Sequence, residues 1–537
     1  ENPVMEVTDE WKKFDVSPVV EGMNDQRVSI QLAVTGGEVL VDDVLIWKEE
    51  DSRNPTAFRD PFVDVIKKLN PGVLRHLQMG GSNFENNIRP PLKQMQWSNS
   101  FGDMLAGGRN NANYYKFNMH DYYELCEYVG ARPWYCLPGT IHPEEMTQVM
   151  EYLAAPPDVG YGRVRAALGH PEPWTETFDK IYIEFGNEAW NPGGHYATGS
   201  FNGPDHWQDL ISAGRGNPHF KDNITFVAGS QNGSTGVTQQ VLRDAPNADI
   251  VAIAPYMMNG IRKNHVDHLD TDDELFRWVF AYAIRRVMEP QGTVYRHWEL
   301  VREAGKELAT YEHQFHLTNP MPGKPGAVPL ETRHRFFNSL GGGLCILNDA
   351  MMFMREKKMT TQALFNLSQN SFFGVKLWGF VPGLDYRDQR YRPQFLAQEI
   401  INDVIGGDLV ATKQSGQNPT FQATGVWEDT RRSNEKTTYE DIPTIWSYAF
   451  RDGKRRALVI FNLDTQNAQK VRLRFAGGVA GNRARGYLLA AEEIWADNEP
   501  DHEARVDIQT DAVENFQDGR VVTLPRHSMM VLEWMAP

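Results

Sequence analysis

The sequence predicts an α/β protein: a (β/α)8 TIM barrel followed by a C-terminal antiparallel β-sandwich, with part of another β-sandwich at the N-terminus. Three observations carry that expectation. From about Pro61 to Asn370, short apolar strand-like runs alternate with amphipathic helical stretches, the texture of a parallel sheet with crossover helices. Before Trp47 and after Gln398, apolar and polar residues alternate with period two, the mark of half-buried strands. Two of the barrel-like strands also run directly into a glutamate, at the strand end where barrel enzymes carry their chemistry.

Residues 1–50 form the first region, with alternating runs at 28–34 and 38–46. The barrel region, 51–395, opens with a helix over 62–69 and a strand at 73–77. A helix over 121–129, stopped by Gly130, leads to a strand at 133–137. Further strands are expected at 181–185, 224–228, 250–254, 307–311 and 373–377, with helices over 274–287 and 331–354. Seven strands are recognisable, so the first strand of the barrel is missing from the chain or lies upstream of Glu1. Gly341-Gly-Gly343, inside a helical pattern, marks close packing or a kink. Over 396–537, short strands at 457–461, 469–475, 485–489, 521–524 and 529–534 lie between turn residues, as in a sandwich. The acidic run Asp267, Asp270, Asp272 and Asp273 lacks the glycine and terminal glutamate of a calcium loop, and is expected to cap the helix at Glu274.

Composition narrows the function. Acidic residues outnumber basic ones by 70 to 54 in a chain of 537 residues. That argues against nucleic acid and against an anionic membrane as partners. No stretch approaches the ~20 apolar residues of a membrane span. Cys126, Cys136 and Cys345 form no CxxC pair and are expected to be buried free thiols. There is no HExxH pair and no phosphate-binding glycine loop, so neither a metal nor another cofactor is expected. A basic-then-apolar leader is absent, and so is an initiating Met, which points to a leader already removed. The expected compartment is secreted or periplasmic, with the cytoplasm as the alternative.

The chemistry lies at 181–191 and 307–314. The first strand runs into Gly186-Asn187-Glu188, the second through Tyr311 into Glu312. About three βα units separate the two glutamates, which places both at one end of the same barrel. Two carboxyl groups are the equipment of a glycosidase, roughly 5–5.5 Å apart where configuration is retained. Glu188 is assigned as acid/base and Glu312 as nucleophile. Glu184, deeper in the same strand, is the rival carboxylate and is read as a structural partner. Arg75 would keep the nucleophile ionised and orient it. Tyr256 would donate a hydrogen bond to it, and Asn187 would bond a sugar hydroxyl beside the reacting carbon. Trp97, Trp134, Trp190 and Trp378 are candidate sugar platforms, with Trp190 and Trp378 favoured because they lie just past strand ends.

These residues, in this order, resemble the α-L-arabinofuranosidases of glycoside hydrolase family 51, in clan A. Val73-Leu-Arg-His-Leu-Gln-Met-Gly-Gly-Ser-Asn-Phe84 resembles the family's Leu-Arg-Tyr-Pro-Gly-Gly-Asn-Phe segment. Tyr123-Glu-Leu-Cys-Glu-Tyr-Val-Gly-Ala131 resembles its next helix. Phe185-Gly-Asn-Glu188 matches the acid/base motif, and Tyr311-Glu-His313 occupies the place of the nucleophile. Leu524-Pro-Arg-His-Ser528 resembles the end of its C-terminal sandwich, and 39–46 the end of a carbohydrate-binding-like sandwich before the barrel. The resemblance implies a retaining double displacement through Glu188 and Glu312 without a metal, with Asn187 on the sugar hydroxyl and Asn83 lining the pocket. The chain departs from the pattern at Tyr311, where Asp is usual, and at His313, where Trp is usual. Those changes touch the substrate pocket, and His313 is taken as a substrate contact on that basis.

The expected partner is therefore a plant cell-wall polysaccharide or its oligosaccharides, with arabinofuranosides favoured. The same two-glutamate chemistry also serves an endo-β-glucanase, β-xylosidase or β-galactosidase. A carbohydrate-binding protein on an inactive barrel is the reading from a different class.

Overall fold

The computed structural model describes residues 5–17, 31–41, 54–76, 83–90, 117–190, 203–258, 260–269, 271–368, 378–384, 389–425, 436–476 and 481–537. The chain divides into two units, Glu1–Pro55 and Thr56–Pro537. In the first, the described residues form neither helix nor strand. The expected strands fail over 31–34 and 38–41, where Leu32, Val34, Leu40 and Val41 are exposed. Their remaining residues, 28–30 and 42–46, lie outside the described residues. Alternation specifies a strand only where a second surface covers the apolar face, and these side chains have no such cover.

The second unit begins with a helix whose ends are written into the sequence. Pro61 sits in the first turn of Asp60–Leu69, and Asn70 closes it in the left-handed conformation. Val63, Val65, Ile66 and Leu69 form its buried stripe. Six parallel strands follow: β1 (Val73–His76), β2 (Arg132–Leu137), β3 (Ile181–Phe185), β4 (Ile224–Ser230), β5 (Ile250–Ile253) and β6 (Glu307–Thr310). They pair in chain order, with helices on the crossovers. A doubly wound sheet reverses its strand order, whereas this one turns in a single direction, as a TIM-type barrel does. Gln362 continues the ladder by a parallel bridge to Thr310. That position was not recognised in the sequence, and the expected strand at 373–377 lies outside the described residues.

Alternation sorts the side chains of the sheet. Ile181, Ile183 and Phe185 join the large apolar core shared with the helices. Tyr182 belongs to a separate inner cluster with Trp134, Val227, Ile250, Ala252, Ala309 and Tyr311. Arg75 pairs across the ladder with Trp134, and Cys136 with Glu184, so a charged group from β1 and one from β3 meet inside the curl.

The helix expected over 331–354 is two helices, Leu330–Asn338 and Leu340–Lys357, broken at Ser339, which caps the second. The glycine triplet there serves close packing. A Cβ on Gly342 would stand 1.8 Å from the Phe336 carbonyl oxygen, and one on Gly341 would stand 2.5 Å from the Phe276 ring. The helix expected at Glu274 is capped there, but by Thr271 and not by the acidic run: Thr271 exchanges hydrogen bonds with Glu274 at the start of Asp272–Met288, while Asp272 and Asp273 sit inside its first turn. Asp270 is outside the described residues.

The C-terminal part holds β7 (Asp408–Val410), β8 (Thr420–Gly425), β9 (Thr437–Pro443), β10 (Ile445–Asp452), β11 (Arg455–Asn462), β12 (Gln469–Arg472), β13 (Arg483–Ala490), β14 (Asp507–Glu514), β15 (Val521–Leu524) and β16 (Ser528–Met535). A six-stranded antiparallel sheet runs β14-β13-β16-β11-β10-β7. The β12–β15 pair lies over one face of it, burying Leu458, Ile460, Leu532 and Trp534 against Val522 and Leu524. The other face, with Tyr448, Val459, Phe461 and Val531, joins the barrel core. All three cysteines are buried free thiols. Among the described residues no helix is long and apolar enough to cross a membrane.

Candidate active site

β3 and β6 deliver the two carboxylates past the sheet edge by different means. After Phe185 the chain turns through Gly186 (φ +74°) and Glu188 (φ +50°), both in the left-handed region. A non-glycine residue is rarely held there, and the conformation is common where a site dictates the backbone. Glu312 follows β6 by two residues and is buried.

Arg75 is the hub. Its Nε donates to Glu184 Oε2 at 2.8 Å and its Nη2 to Glu184 Oε1 at 3.0 Å, a bidentate pair. The same Nη2 donates to Asn187 Oδ1 at 2.8 Å, and Nη1 donates to Glu312 Oε1 at 3.3 Å. The three charged side chains are 4%, 2% and 8% exposed for Arg75, Glu184 and Glu312, so water screens little of this. Glu184 also accepts from Trp134 Nε1 at 2.8 Å and from the Cys136 thiol at 3.4 Å. It is fully engaged as a structural counter-ion.

The other two carboxylates are held unequally. Glu312 accepts from Arg75 and, at 2.5 Å, from the Tyr256 hydroxyl. Among the described residues Glu188 accepts one long bond, 3.4 Å, from the Tyr311 hydroxyl, which itself accepts from Trp190 Nε1 at 3.2 Å. Burial, and then the charge of Glu312, pushes the Glu188 carboxyl up to about 7, against the pull of Arg75. Burial also raises Glu312, opposed by Arg75 and the Tyr256 hydroxyl. With a short phenol bond and a guanidinium at 3.3 Å on Glu312, and among the described residues one long bond on Glu188, the surroundings favour the charge on Glu312 and the proton on Glu188. One carboxylic acid and one carboxylate at neutral pH can protonate a leaving group and supply a nucleophile.

The structure brings together Arg75, Asn187, Glu188, Trp190, Tyr256 and Glu312, and it corrects four expectations. His313 is not a pocket residue. It is fully buried, its Nε2 stands 3.0 Å from Asp349 Oδ2, and its ring packs on Phe353 of helix Leu340–Lys357. The chain past Tyr311 turns that ring to the helix side. Trp134 is likewise no platform, because it is fully buried with its indole N–H committed to Glu184. Asn83 is exposed and caps the helix Phe84–Ile88, accepting from the Asn86 N–H at 2.8 Å. Trp378 is nearly buried beside His316 and Phe365, both of which pack on Tyr256. It stands behind Tyr256 with its indole N–H donated to the Phe315 carbonyl, and so is no exposed platform either. Trp97 is outside the described residues.

Two features escaped the sequence reading. Tyr311 contacts Glu188 and lies under the Arg75 guanidinium, whose Cζ is 4.9 Å from the ring centre. Its period-two spacing from the inward-facing Ala309 was the available signal. Arg286 donates to the carbonyl oxygens of Pro255 and Tyr256 and pairs with Asp349, which also faces His313. That buried cluster fixes the backbone of Tyr256 and of the residue after Glu312, and it joins residues too distant in sequence to be associated beforehand.

No family model matches the chain. Among solved structures, the fold is similar to an α-L-arabinofuranosidase from Thermotoga maritima in complex with arabinose (19% identity, 91% of this chain and 92% of that one, TM-score 0.65). It is also similar to the GH51 arabinofuranosidase of Xanthomonas axonopodis pv. citri (18% identity, 91% and 92%, TM-score 0.65). At these identities the likeness establishes the fold. Among curated proteins, 205 residues are 24% identical to α-L-arabinofuranosidase A of Aspergillus niger, over 34% of this chain and 31% of that protein. A stretch of 190 residues is 24% identical to an extracellular exo-α-L-arabinofuranosidase of Streptomyces chartreusis, over 29% of this chain and 22% of that protein. The match thus spans less than a third of these curated relatives' length.

Proposed function

We propose that this chain is a retaining glycoside hydrolase, of the α-L-arabinofuranosidase type, acting on plant cell-wall polysaccharide or its oligosaccharides. The observation that carries the reading is the unequal solvation of two buried strand-end carboxylates. Glu312 is held by Arg75 and Tyr256, whereas Glu188 is pushed up to about 7 by burial and by Glu312. In the first step Glu312 attacks the anomeric carbon and its proton-bearing neighbour Glu188 protonates the departing oxygen. The glycosyl–Glu312 ester forms as the glycosidic bond breaks. In the second, the Glu188 carboxylate takes a proton from water, whose oxygen displaces Glu312 and returns the sugar with its original configuration.

Asn187 suits a sugar hydroxyl. Arg75 takes its carbonyl oxygen, which fixes the amide orientation and leaves the NH2 for a ligand. The arabinose assignment draws on the printed names of the structural neighbours and curated relatives, and secretion on the extracellular relative. The test is hydrolysis of a panel of 4-nitrophenyl glycosides and cell-wall polysaccharides, with the anomeric configuration of the first product followed by NMR. Retained arabinose from the α-L-arabinofuranoside, abolished in Glu312→Ala, is expected. Retained product from a glucan, xylan or galactoside alone would keep the mechanism and replace the sugar. Inverted product would overturn the double displacement.

A further inference from the structure

Tyr311 occupies a position whose chemistry the two-carboxylate reading leaves unused. It is the residue before the nucleophile, yet its hydroxyl reaches the other carboxylate, Glu188 Oε1, at 3.4 Å. That hydroxyl is itself held, because Trp190 Nε1 stands 3.2 Å from it. An indole N–H can only donate, so it engages the phenol oxygen as an acceptor. Among the described residues, Glu188 is then the acceptor for the single phenol hydrogen. Burial, and then the charges of Glu188 and Glu312, hold Tyr311 well above the usual phenol range, so it stays protonated and remains a donor.

We propose that Trp190 and Tyr311 form a one-way hydrogen-bond relay that positions Glu188 and favours its carboxylate form. The proposal rests on Glu188 being the acid/base. That group must be an acid when the leaving group departs and a base when water arrives, so its two forms need to lie close in free energy. The surroundings of Glu188 divide on this. Glu312 and Glu184 disfavour its charge, while Arg75 of β1 and the Tyr311 hydroxyl favour it. Tyr256 also lies within its field, as a neutral phenol bonded to Glu312. Arg75 is already shared among Glu184, Asn187 and Glu312. Among the described residues the Tyr311 hydroxyl is the donor directed at Glu188, and Glu188 lies two residues from Trp190, so acid/base and relay are built from the same loop.

The test is a titration that needs no turnover. The carboxyl band of Glu188 is followed against pH by infrared difference spectroscopy, each protein being subtracted from its own Glu188→Gln counterpart. Tyr311→Phe should move the midpoint upward by about one pH unit, the size expected for losing one hydrogen bond to a charged group. Trp190→Phe keeps the phenol but frees its hydrogen, and should move the midpoint the same way by less. The alkaline limb of the kcat/KM profile should follow both shifts. A midpoint unmoved or lowered in Tyr311→Phe overturns the relay, and so does a loss of thermal stability with no change in the titration. If Tyr311→Phe does not fold, Trp190→Phe alone decides. Because the titration reads Glu188 directly, a wild-type protein inert on every glycoside would count against the glycosidase reading and leave the relay to be judged by its own midpoints.

Discussion

Replacing Arg75 tests both the fold and the chemistry. Arg75→Met keeps the length of the side chain and removes four hydrogen bonds to Glu184, Asn187 and Glu312. It strands two carboxylates that are almost inaccessible to water. Breaking a buried ion pair from one side costs about 3–5 kcal/mol, a large part of the ~5–15 kcal/mol that stabilises a typical domain. The cost depends on pH with a definite sign. Without the guanidinium, which opposes the effect of burial on Glu312, that carboxyl holds its proton in the folded state at a pH where the unfolded chain has released it. Between the ordinary carboxylate value of 4.5 and the raised folded value of Glu312, the folded state then binds more protons, so stability falls as pH rises. Each extra bound proton is worth about 1.4 kcal/mol per pH unit. Urea unfolding at pH 5 and pH 8 should therefore show a small deficit for Arg75→Met at the lower pH and a deficit of several kcal/mol at the higher. Arg75→Lys, which keeps the charge but loses the fork, should fall between. A variant as stable as wild type at pH 8, or a deficit that shrinks as pH rises, would refute the hub.

Three further outcomes follow from the same geometry. Wild-type kcat/KM should decline above pH about 7 as Glu188 loses its proton. Glu188→Gln should show no such limb and should lose about 10²–10⁴-fold on substrates with poor leaving groups. Tyr256→Phe removes the 2.5 Å bond to Glu312 and leaves its pKa higher still, so the acid limb should move upward in pH while the fold, read by circular dichroism, is kept. Gly342→Ala must displace the Phe336 carbonyl from 1.8 Å and should lower the thermal midpoint or abolish soluble expression, whereas Gly383→Ala, which meets nothing within 4 Å, should be neutral.

Much of the barrel was legible because its strands are short, apolar and bounded. The expected segments 181–185 and 521–524 coincide with β3 and β15, and 133–137 misses β2 by one residue. What escaped was shaped by context. β14, Asp507–Glu514, alternates weakly and sits at the sheet edge, where pairing with β13 rather than burial holds it. Gln362 lies in a polar stretch, and its place beside Thr310 comes from the ladder and not from composition. The N-terminal runs erred in the opposite direction, since alternation alone promised strands that the described residues do not form. At the site, position along the chain pointed to Glu188 and Glu312, which lie close enough for the charge of Glu312 to act on Glu188. Side-chain direction was the harder quantity. His313 adjoins Glu312 in sequence yet faces Asp349, and Asn83 serves its own helix.

The two glutamates also look alike as letters, and the difference in their roles arises one level up, in how many protons are aimed at each. Register puts Arg75 beside Trp134 and so inside the curl, where its fork is taken by Glu184 and one nitrogen remains for Glu312. Were Glu184 absent, Arg75 would be free to bond Glu312 bidentately and would hold its charge too firmly for attack on carbon. Glu184 thus tempers the hub, which explains why a third carboxylate is tolerated in so buried a place. On this argument Glu184→Gln, which keeps the shape and one acceptor, should leave the protein folded, lower the acid limb and reduce kcat more than it changes KM. An unchanged acid limb would mean that Arg75 divides its charge without regard to Glu184, and the unequal treatment of Glu188 and Glu312 would then rest on Tyr256 and Tyr311.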